Sequence, residues 1–204
     1  MINALLIKKP HRTFKGKEII LFLPGVNLLV GDQGCGKSTI LELITSLGGS
    51  KAFWKKLSKR DAQEVASIIL DKAAPVFAHD FENDSPRTSP SFDTMGTIPL
   101  DLSISLMRQS HGQANTVICD QIAKMKDTYI ILDEPDSGLS CRSALKLAAS
   151  LKTAADNGCQ IIASVHHPWL IEQFKMVFSV EEQKWISSSE FLASMREPTP
   201  EESK

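Results

Sequence analysis

The chain has 204 residues, of which 42% are hydrophobic and 23% charged, and its formal net charge at pH 7 is −1. This length and composition are typical of one globular domain with a sizeable core. The near-zero charge excludes a bulk attraction to nucleic acid or anionic membrane, and no apolar run approaches the roughly 20 residues that cross a bilayer. We therefore expect no membrane partner, and any contact with DNA would come from a local patch or from a partner protein.

The N-terminus and the cysteines bear on the compartment. The first lysines follow a short apolar run, which is the reverse of the order in a secretion signal. The four cysteines lack the spacing of metal ligands, so reduced thiols in a cytoplasm are the simplest interpretation. These cysteines are Cys35, Cys119, Cys141 and Cys159.

Three strands are predicted before residue 31, at residues 3–8, 18–23 and 26–30. Turn residues separate them, at Pro10 and at Pro24-Gly25. The third strand is apolar and reads as buried, which makes it a suitable support for the loop that follows it.

The most specific motif follows that strand directly. Residues 31–39 fit G-x-x-x-x-G-K-[ST], and the helical pattern after them ends at Gly48-Gly49. Backbone N–H groups of such a P-loop hold a triphosphate, its lysine reaches the β- and γ-phosphates, and its hydroxyl ligates Mg²⁺. Ser38 is thus a predicted metal ligand. The predicted nucleotide-binding residues here are Gly31, Asp32, Gln33, Gly34, Cys35, Gly36, Lys37, Ser38 and Thr39.

Cys35 has two interpretations. Its neighbour Lys37 and the helix N-terminus would favour the thiolate form of the side chain. A small spacer residue within the loop is the simpler interpretation.

A small helical lobe is predicted over roughly residues 50–125. Five apolar positions between 62 and 70 follow the 3.6-residue period, so residues 50–73 are predicted to be helical. A strand at 75–78 comes next, and a segment rich in Asp, Ser, Pro and Thr over 80–97 is predicted to be either a long loop or partly disordered. Residues 112–123 are predicted to form a further helix.

The segment 51–60 interleaves two aromatic residues with five basic ones. It would contact nucleic acid through phosphate pairing and base stacking. A solvated helix with buried aromatics is the commoner explanation of such a pattern.

An apolar strand over 128–132 leads into two acids and a proline. Carboxylates at the carboxyl end of a strand lie where open α/β sheets bind ligands. Asp133 is therefore predicted to hold Mg²⁺ or its waters, and Glu134 is predicted to act as the general base on an attacking water or to position that water. A strand that merely stops at a polar turn is the alternative.

The last third of the chain alternates helices and strands. A helix is predicted over 141–155, with Gly158 as the residue that closes it. A strand is predicted at 160–165 and is followed at once by His166. The imidazole would accept from the attacking water or donate to the γ-phosphate, although a lone histidine is more often structural. The chain is predicted to end with strands at 176–180 and 184–186, a helix at 189–195 and a disordered tail at 196–204.

Ser110 and Gly112 stand just before the predicted helix at 112–123. They would form a small anion-binding end, with a free hydroxyl and backbone donors. A plain helix cap at Ser110 explains the same residues.

Strands that alternate with helices after a P-loop predict an α/β fold, a P-loop NTPase with a mostly parallel sheet. The antiparallel strands stand at the N-terminus, and the small helical lobe lies within one domain over residues 1–195.

The order of the motifs resembles that of an ATP-binding-cassette (ABC) ATPase. Ser110 precedes Asp133 by 23 residues, and Asp133 precedes His166 by 33. The wording of residues 25–31 resembles the chromosome-maintenance and double-strand-break-repair branch, and the whole chain resembles its compact single-domain members, whose signature is Ser-His-Gly-Glu. The resemblance implies ATP and Mg²⁺ as cofactors, and a homodimer closed on ATP in which Ser110, Gly112 and Gln113 complete the partner's γ-phosphate site.

Three departures from the pattern stand out. The usual Leu-Ser-Gly-Gly-Gln signature is replaced by residues 109–113, Gln-Ser-His-Gly-Gln, and Ser140 stands where the D-loop commonly ends in aspartate. A Q-loop glutamine is missing, and Asp80 or Glu82 is the substitute that the pattern offers.

Two functions remain open from the sequence. The first is an ATP hydrolase in DNA repair, recombination or nucleic-acid defence. The second is a nucleotide-gated interaction module whose slow turnover times binding to a nuclease or other effector. A small-molecule kinase is disfavoured, because the chain lacks an arginine-rich lid.

Overall fold

The computed structural model describes residues 1–48, 57–81 and 119–195, and the structural statements below concern these residues. An antiparallel sheet of three strands opens the chain. Strand β1 (Ile2–Ile7) lies between β2 (Ile19–Leu21) and β4 (Ala66–Leu70). The predicted strands at 3–8 and 18–23 are confirmed.

A second sheet of six strands positions the site. Its order is β5-β6-β7-β3-β8-β9; the first five strands run parallel, and β9 is antiparallel to β8. The mostly parallel sheet is therefore confirmed. Its strands are β3 (Val26–Val30), β5 (Val76–Asp80), β6 (Tyr129–Asp133), β7 (Gln160–Ser164), β8 (Met176–Ser179) and β9 (Lys184–Ser187).

The helices begin at residues suited to capping. Ser58, Ser140 and Ser187 each accept a backbone N–H from three residues further on, which satisfies one of the orphan donors of the first turn. The helices with both ends inside the described residues are α1 (Lys37–Gly48), α2 (Lys59–Val65), α3 (Cys141–Asp156), α4 (Pro168–Ile171) and α5 (Ser188–Ser194).

The six-stranded sheet is buried on both faces. Because side chains alternate along a strand, Ile130 and Leu132 of β6 face one core cluster and Ile131 faces the other. The first cluster is covered by α3, and the second contains residues of α1 and of the antiparallel sheet. Parallel strands buried in this way read as continuous apolar runs, as these do.

The prediction of one helix over 50–73 is wrong in its second half. Helix α2 ends at Val65, and the next five residues form β4, with Ala66 opposite Ile7 and Ile68 opposite Leu5 of β1. The β-branched pair Ile68-Ile69 suits a strand, and pairing with β1 overrides the helical period of the sequence. Helical and strand patterns are hard to distinguish over so short an apolar run.

Several expectations fall outside the described residues: most of the helical lobe, the loop at 82–97, the basic segment at 51–56 and the tail at 196–204. Residues 119–122 are helical, in agreement with the end of the helix predicted at 112–123. The domain boundaries stay predictions. Among the described helices, none combines the length and apolar character required to span a membrane.

His79 gives the fold a pH-sensitive point. Its ring lies between Phe77, at 6.3 Å between centroids, and Phe81, at 4.5 Å. Burial lowers the pKa of His79 to about 4, and the neighbouring carboxylate of Asp80 opposes this only in part. The native state therefore keeps the imidazole neutral where the unfolded chain protonates it.

We expect stability to fall as the pH drops from about 6.5 to about 4, because the unfolded state binds the proton first. This residue should contribute about 2–3 kcal/mol to the loss. Urea unfolding at pH 7 and pH 4.5, on the wild type and His79→Phe, measures it. If the difference between the two proteins is the same at both pH values, the assignment to His79 is wrong.

Candidate active site

The polar residues of the site meet at the carboxyl edge of the parallel strands. The P-loop follows β3, Asp133 ends β6 and Ser164 ends β7. Asp80 of β5 lies opposite Asp133, which in turn lies opposite Ser164. This edge is where open α/β sheets bind ligands.

The P-loop adopts conformations that glycine permits. Gly31 and Gly36 have φ angles of 139° and 114°. A Cβ atom at Gly36 would lie 2.6 Å from Oγ1 of Thr13 and 2.9 Å from the ring of Phe14. Lys37 opens α1, is 5% exposed, and its Nζ donates to the carbonyls of Gly31 and Asp32 at 2.7 Å each. The loop thus encloses its own lysine.

Arg12 links the N-terminal segment to α1. Its Nη1 lies 2.6 Å from Oε2 of the buried Glu42 and donates to Oγ1 of Thr39 at 3.2 Å. Local sequence patterns do not reveal this link, because the linked residues are 27 and 30 positions apart in the chain. It holds the first turns of the helix that follows the P-loop.

Of the two interpretations of Cys35, the structure favours the small spacer over the thiolate. Burial raises the pKa of this thiol, and the nearby Lys37 ammonium lowers it by less. The structure supports the role of a small spacer, since Sγ would lie 2.9 Å from a Cβ added at Gly31.

The two predicted metal ligands are in contact. Oγ of Ser38 donates to Oδ1 of Asp133 at 3.1 Å, and Asp133 is 7% exposed. A hydroxyl beside a carboxylate is the hard oxygen donor set that Mg²⁺ prefers. These residues therefore fit a magnesium ion shared with nucleotide phosphates.

Ser164 is a site residue that the sequence analysis missed. Its buried hydroxyl donates to Oδ1 of Asp133 and accepts the backbone N–H of Glu134 at 2.9 Å. Glu134 has a φ of 50°, so this bond holds a non-glycine residue in the left-handed region. A serine at the end of a strand with three consecutive apolar residues before it was the signal available in the sequence.

The two predicted catalytic residues also meet. Nε2 of His166 lies 3.4 Å from Oε1 of Glu134, and both side chains are partly exposed. They face a cavity of about 320 Å³ that also borders the start of the P-loop. Its lining consists of Gly31, Asp32, Gln33, Glu134, Val165, His166, Phe191 and Met195.

Asp136 joins the loops that carry these two residues. Its Oδ2 accepts the backbone N–H of His166 at 2.7 Å and that of His167 at 2.5 Å. The side chain is buried, at 4% exposure, and its Oδ1 has no hydrogen-bond partner among the described residues.

The remaining predicted residues, Ser110, Gly112 and Gln113, lie outside the described residues, as does Glu82. Asp80, the other proposed substitute for the Q-loop glutamine, is buried opposite Asp133.

The burial of ionised Asp133 lowers the stability of the fold. Burial raises its pKa, hydrogen bonds from Ser164 and Ser38 lower it, and the charges of Asp80 and Glu134 raise it further. Because the pKa of Asp133 is higher in the folded state, the protein loses stability as the pH rises from the unfolded pKa of about 3.9 through the folded pKa. Below the unfolded pKa this residue is protonated in both states and its contribution to stability is fully retained.

Asp133→Asn should therefore raise the melting temperature of the Mg²⁺-free protein at pH 7 by roughly 2–4 °C. The gain should disappear near pH 4. Thermal scans across this range test it, with the exposed Asp120→Asn as control. A variant less stable than the wild type at pH 7 would contradict the assignment.

The AAA domain family matches residues 11–193. The cobalt import ATP-binding protein CbiO of Salmonella paratyphi A is 27% identical over 177 residues, which cover 74% of this chain. The chain spans 65% of the length of that relative.

Two solved structures show the same fold. A nucleotide-free ATP-binding cassette from an ABC transporter has a TM-score of 0.59 at 15% identity, over 97% of this chain and 96% of that one. A cassette in its ADP conformation has a TM-score of 0.59 at 14% identity, over 97% and 95%. The architecture is that of an ATP-binding cassette.

Proposed function

The chain belongs to the AAA domain family and has the fold of an ATP-binding cassette. From this premise we propose that it is an ATPase domain, which binds ATP with Mg²⁺, dimerises around the nucleotide and hydrolyses it. The observation that carries the proposal is the meeting of the P-loop, Asp133, Glu134 and His166 at one edge of the sheet.

The binding roles follow from the contacts. Lys37 exchanges the carbonyls of its own loop for the β- and γ-phosphates, and the loop N–H groups hold the remaining phosphate oxygens. Ser38 and Asp133 would hold Mg²⁺, which when bound neutralises charge on the β- and γ-phosphates.

Glu134 is the proposed general base. Its carboxylate accepts a proton from a water as the water oxygen attacks the γ-phosphorus and the bond to the ADP oxygen breaks. His166 contacts the same carboxylate through Nε2 and lines the same cavity. Both groups line the cavity that begins at the P-loop, so a γ-phosphate held by the loop lies within their reach.

Two copies form the complete site in this proposal. Ser110, Gly112 and Gln113 of one copy add donors to the γ-phosphate held by the other copy's P-loop. These contacts exist only with the triphosphate, so ATP and ADP differ in their power to keep the dimer closed.

Mixing two inactive variants tests this arrangement. Lys37→Ala loses the P-loop function and Ser110→Ala loses the function supplied in trans. Half of the randomly formed dimers are mixed, and each has one intact site. An equimolar mixture should therefore recover about a quarter of wild-type hydrolysis. A mixture as inactive as its components would contradict the composite site.

For the biological process, we propose DNA repair, recombination or nucleic-acid defence, supported by the wording of residues 25–31 and by the compact motif set. The similarity to a cobalt import ATP-binding protein favours a second candidate, in which the dimer drives import through a separate membrane partner. An interaction module that gates a nuclease or other effector is the third candidate.

Hydrolysis measured with and without linear double-stranded DNA separates these candidates. Stimulation that is lost in Lys55→Glu/Lys56→Glu favours the repair proposal. Equal rates with and without DNA favour import or the gated module, and turnover too slow to measure favours the module alone.

A further inference from the structure

We propose that Asp136 is a positioning residue that fixes His166 against Glu134 for the hydrolysis step. The inference rests on the proposed function, and it adds a residue to which the sequence patterns gave no role.

The contacts are direct. One carboxylate oxygen, Oδ2, accepts two consecutive backbone N–H groups, those of His166 and His167. These N–H groups belong to the turn between the end of β7 and α4, whose N-cap is His167. The backbone that carries the His166 imidazole is thus held by a side chain from the loop that carries Glu134.

Three contacts join the loop after β6 to the end of β7 and the turn that follows it. The Ser164 hydroxyl accepts the N–H of Glu134, Nε2 of His166 contacts the Glu134 carboxylate, and Asp136 accepts the N–H of His166. The first contact fixes the backbone of the base, and the third fixes the backbone of the histidine. The distance of 3.4 Å between the two functional side chains is set by both.

The burial of Asp136 argues that the carboxylate has a purpose beyond packing. The side chain is 4% exposed, and its Oδ1 is buried without a hydrogen-bond partner among the described residues. Burying a charge with incomplete hydrogen bonding is costly. Sequences accept such local costs mainly at functional sites.

A double-mutant cycle tests the role. Asp136→Ala should lower kcat about tenfold and leave the KM for ATP within about twofold, because the residue orients a reacting group without touching the nucleotide. His166→Ala should lower kcat about a hundredfold. The double variant should be no slower than His166→Ala alone, because Asp136 acts through His166.

Two further variants make the cycle specific. Asp136→Asn keeps an oxygen that can accept both N–H groups, so its kcat should lie within about threefold of the wild type. Gln160→Ala removes buried hydrogen bonds with Ile2 and Leu23 at the opposite end of β7, so it should lower the melting temperature without lowering kcat. If Asp136→Ala does not fold, Asp136→Ser replaces it: its hydroxyl is too short to reach both N–H groups, so the same tenfold loss in kcat is expected.

Each outcome separates the two proposals. If the wild type hydrolyses ATP but the fold-losses of the two single variants multiply in the double variant, the positioning role is overturned and the proposed function stands. An unchanged kcat in Asp136→Ala has the same consequence. No ATP turnover in the wild type would overturn the proposed function, and with it the role of Asp136 in that reaction.

Discussion

Lys37→Ala should abolish ATP hydrolysis, with a loss of about a thousandfold or more, and weaken ATP binding about a hundredfold. The Lys37 ammonium is the positive charge that the P-loop supplies to the β- and γ-phosphates, and Lys37 is the first residue of α1. In the structure it is enclosed by the carbonyls of Gly31 and Asp32, so it is already aimed into the loop. Phosphate release and binding of a fluorescent ATP analogue measure the two effects.

The matched control is Lys146→Ala, on the exposed face of α3, which should behave as the wild type. Circular dichroism establishes that Lys37→Ala is folded. A folded Lys37→Ala that hydrolyses ATP at the wild-type rate would refute the P-loop assignment, whatever the behaviour of the other site residues.

Glu134→Gln should lower kcat about a thousandfold while ATP binding persists. The amide keeps the shape of the side chain and loses the ability to accept a proton from water. Because ATP is then retained, the proposed dimer should accumulate, and the dimer fraction on a sizing column should rise with ATP and Mg²⁺ but not with ADP.

Glu182→Gln, an exposed carboxylate paired with Lys184, is the matched control and should change neither rate nor assembly. Slow hydrolysis by Glu134→Gln without any ATP-dependent change in size would count against dimer closure and leave the role of the base intact. Capture of partners from a lysate by the ATP-bound variant then addresses the biological process.

The parallel sheet was predictable because its strands are marked by local patterns in the sequence. The third strand, predicted at residues 26–30, coincides with β3, and α3 begins at Cys141 as predicted. Fully buried strands carry unbroken apolar runs, and polar loop motifs mark their ends. Strand β4 was missed because its pairing with β1 is a long-range contact that local periodicity does not encode.

The candidate site divides in the same way. Lys37, Asp133 and Glu134 were predicted as site residues because short motifs fix the positions of these residue types in the chain. Ser164 and Asp136 were not, because they act on backbone groups about thirty residues away. The protonation of Cys35 depends on burial, which the local charges in the sequence do not reveal.

The left-handed backbone at position 134 has an evolutionary consequence. A non-glycine residue in that region costs roughly 1 kcal/mol or more relative to glycine. The free energy of unfolding would therefore be higher with glycine at this position. A population screened for heat resistance alone should drift away from the acid at this position, whereas one screened for turnover should keep it. Retention of glutamate across variants of this chain would thus be a record of selection for chemistry.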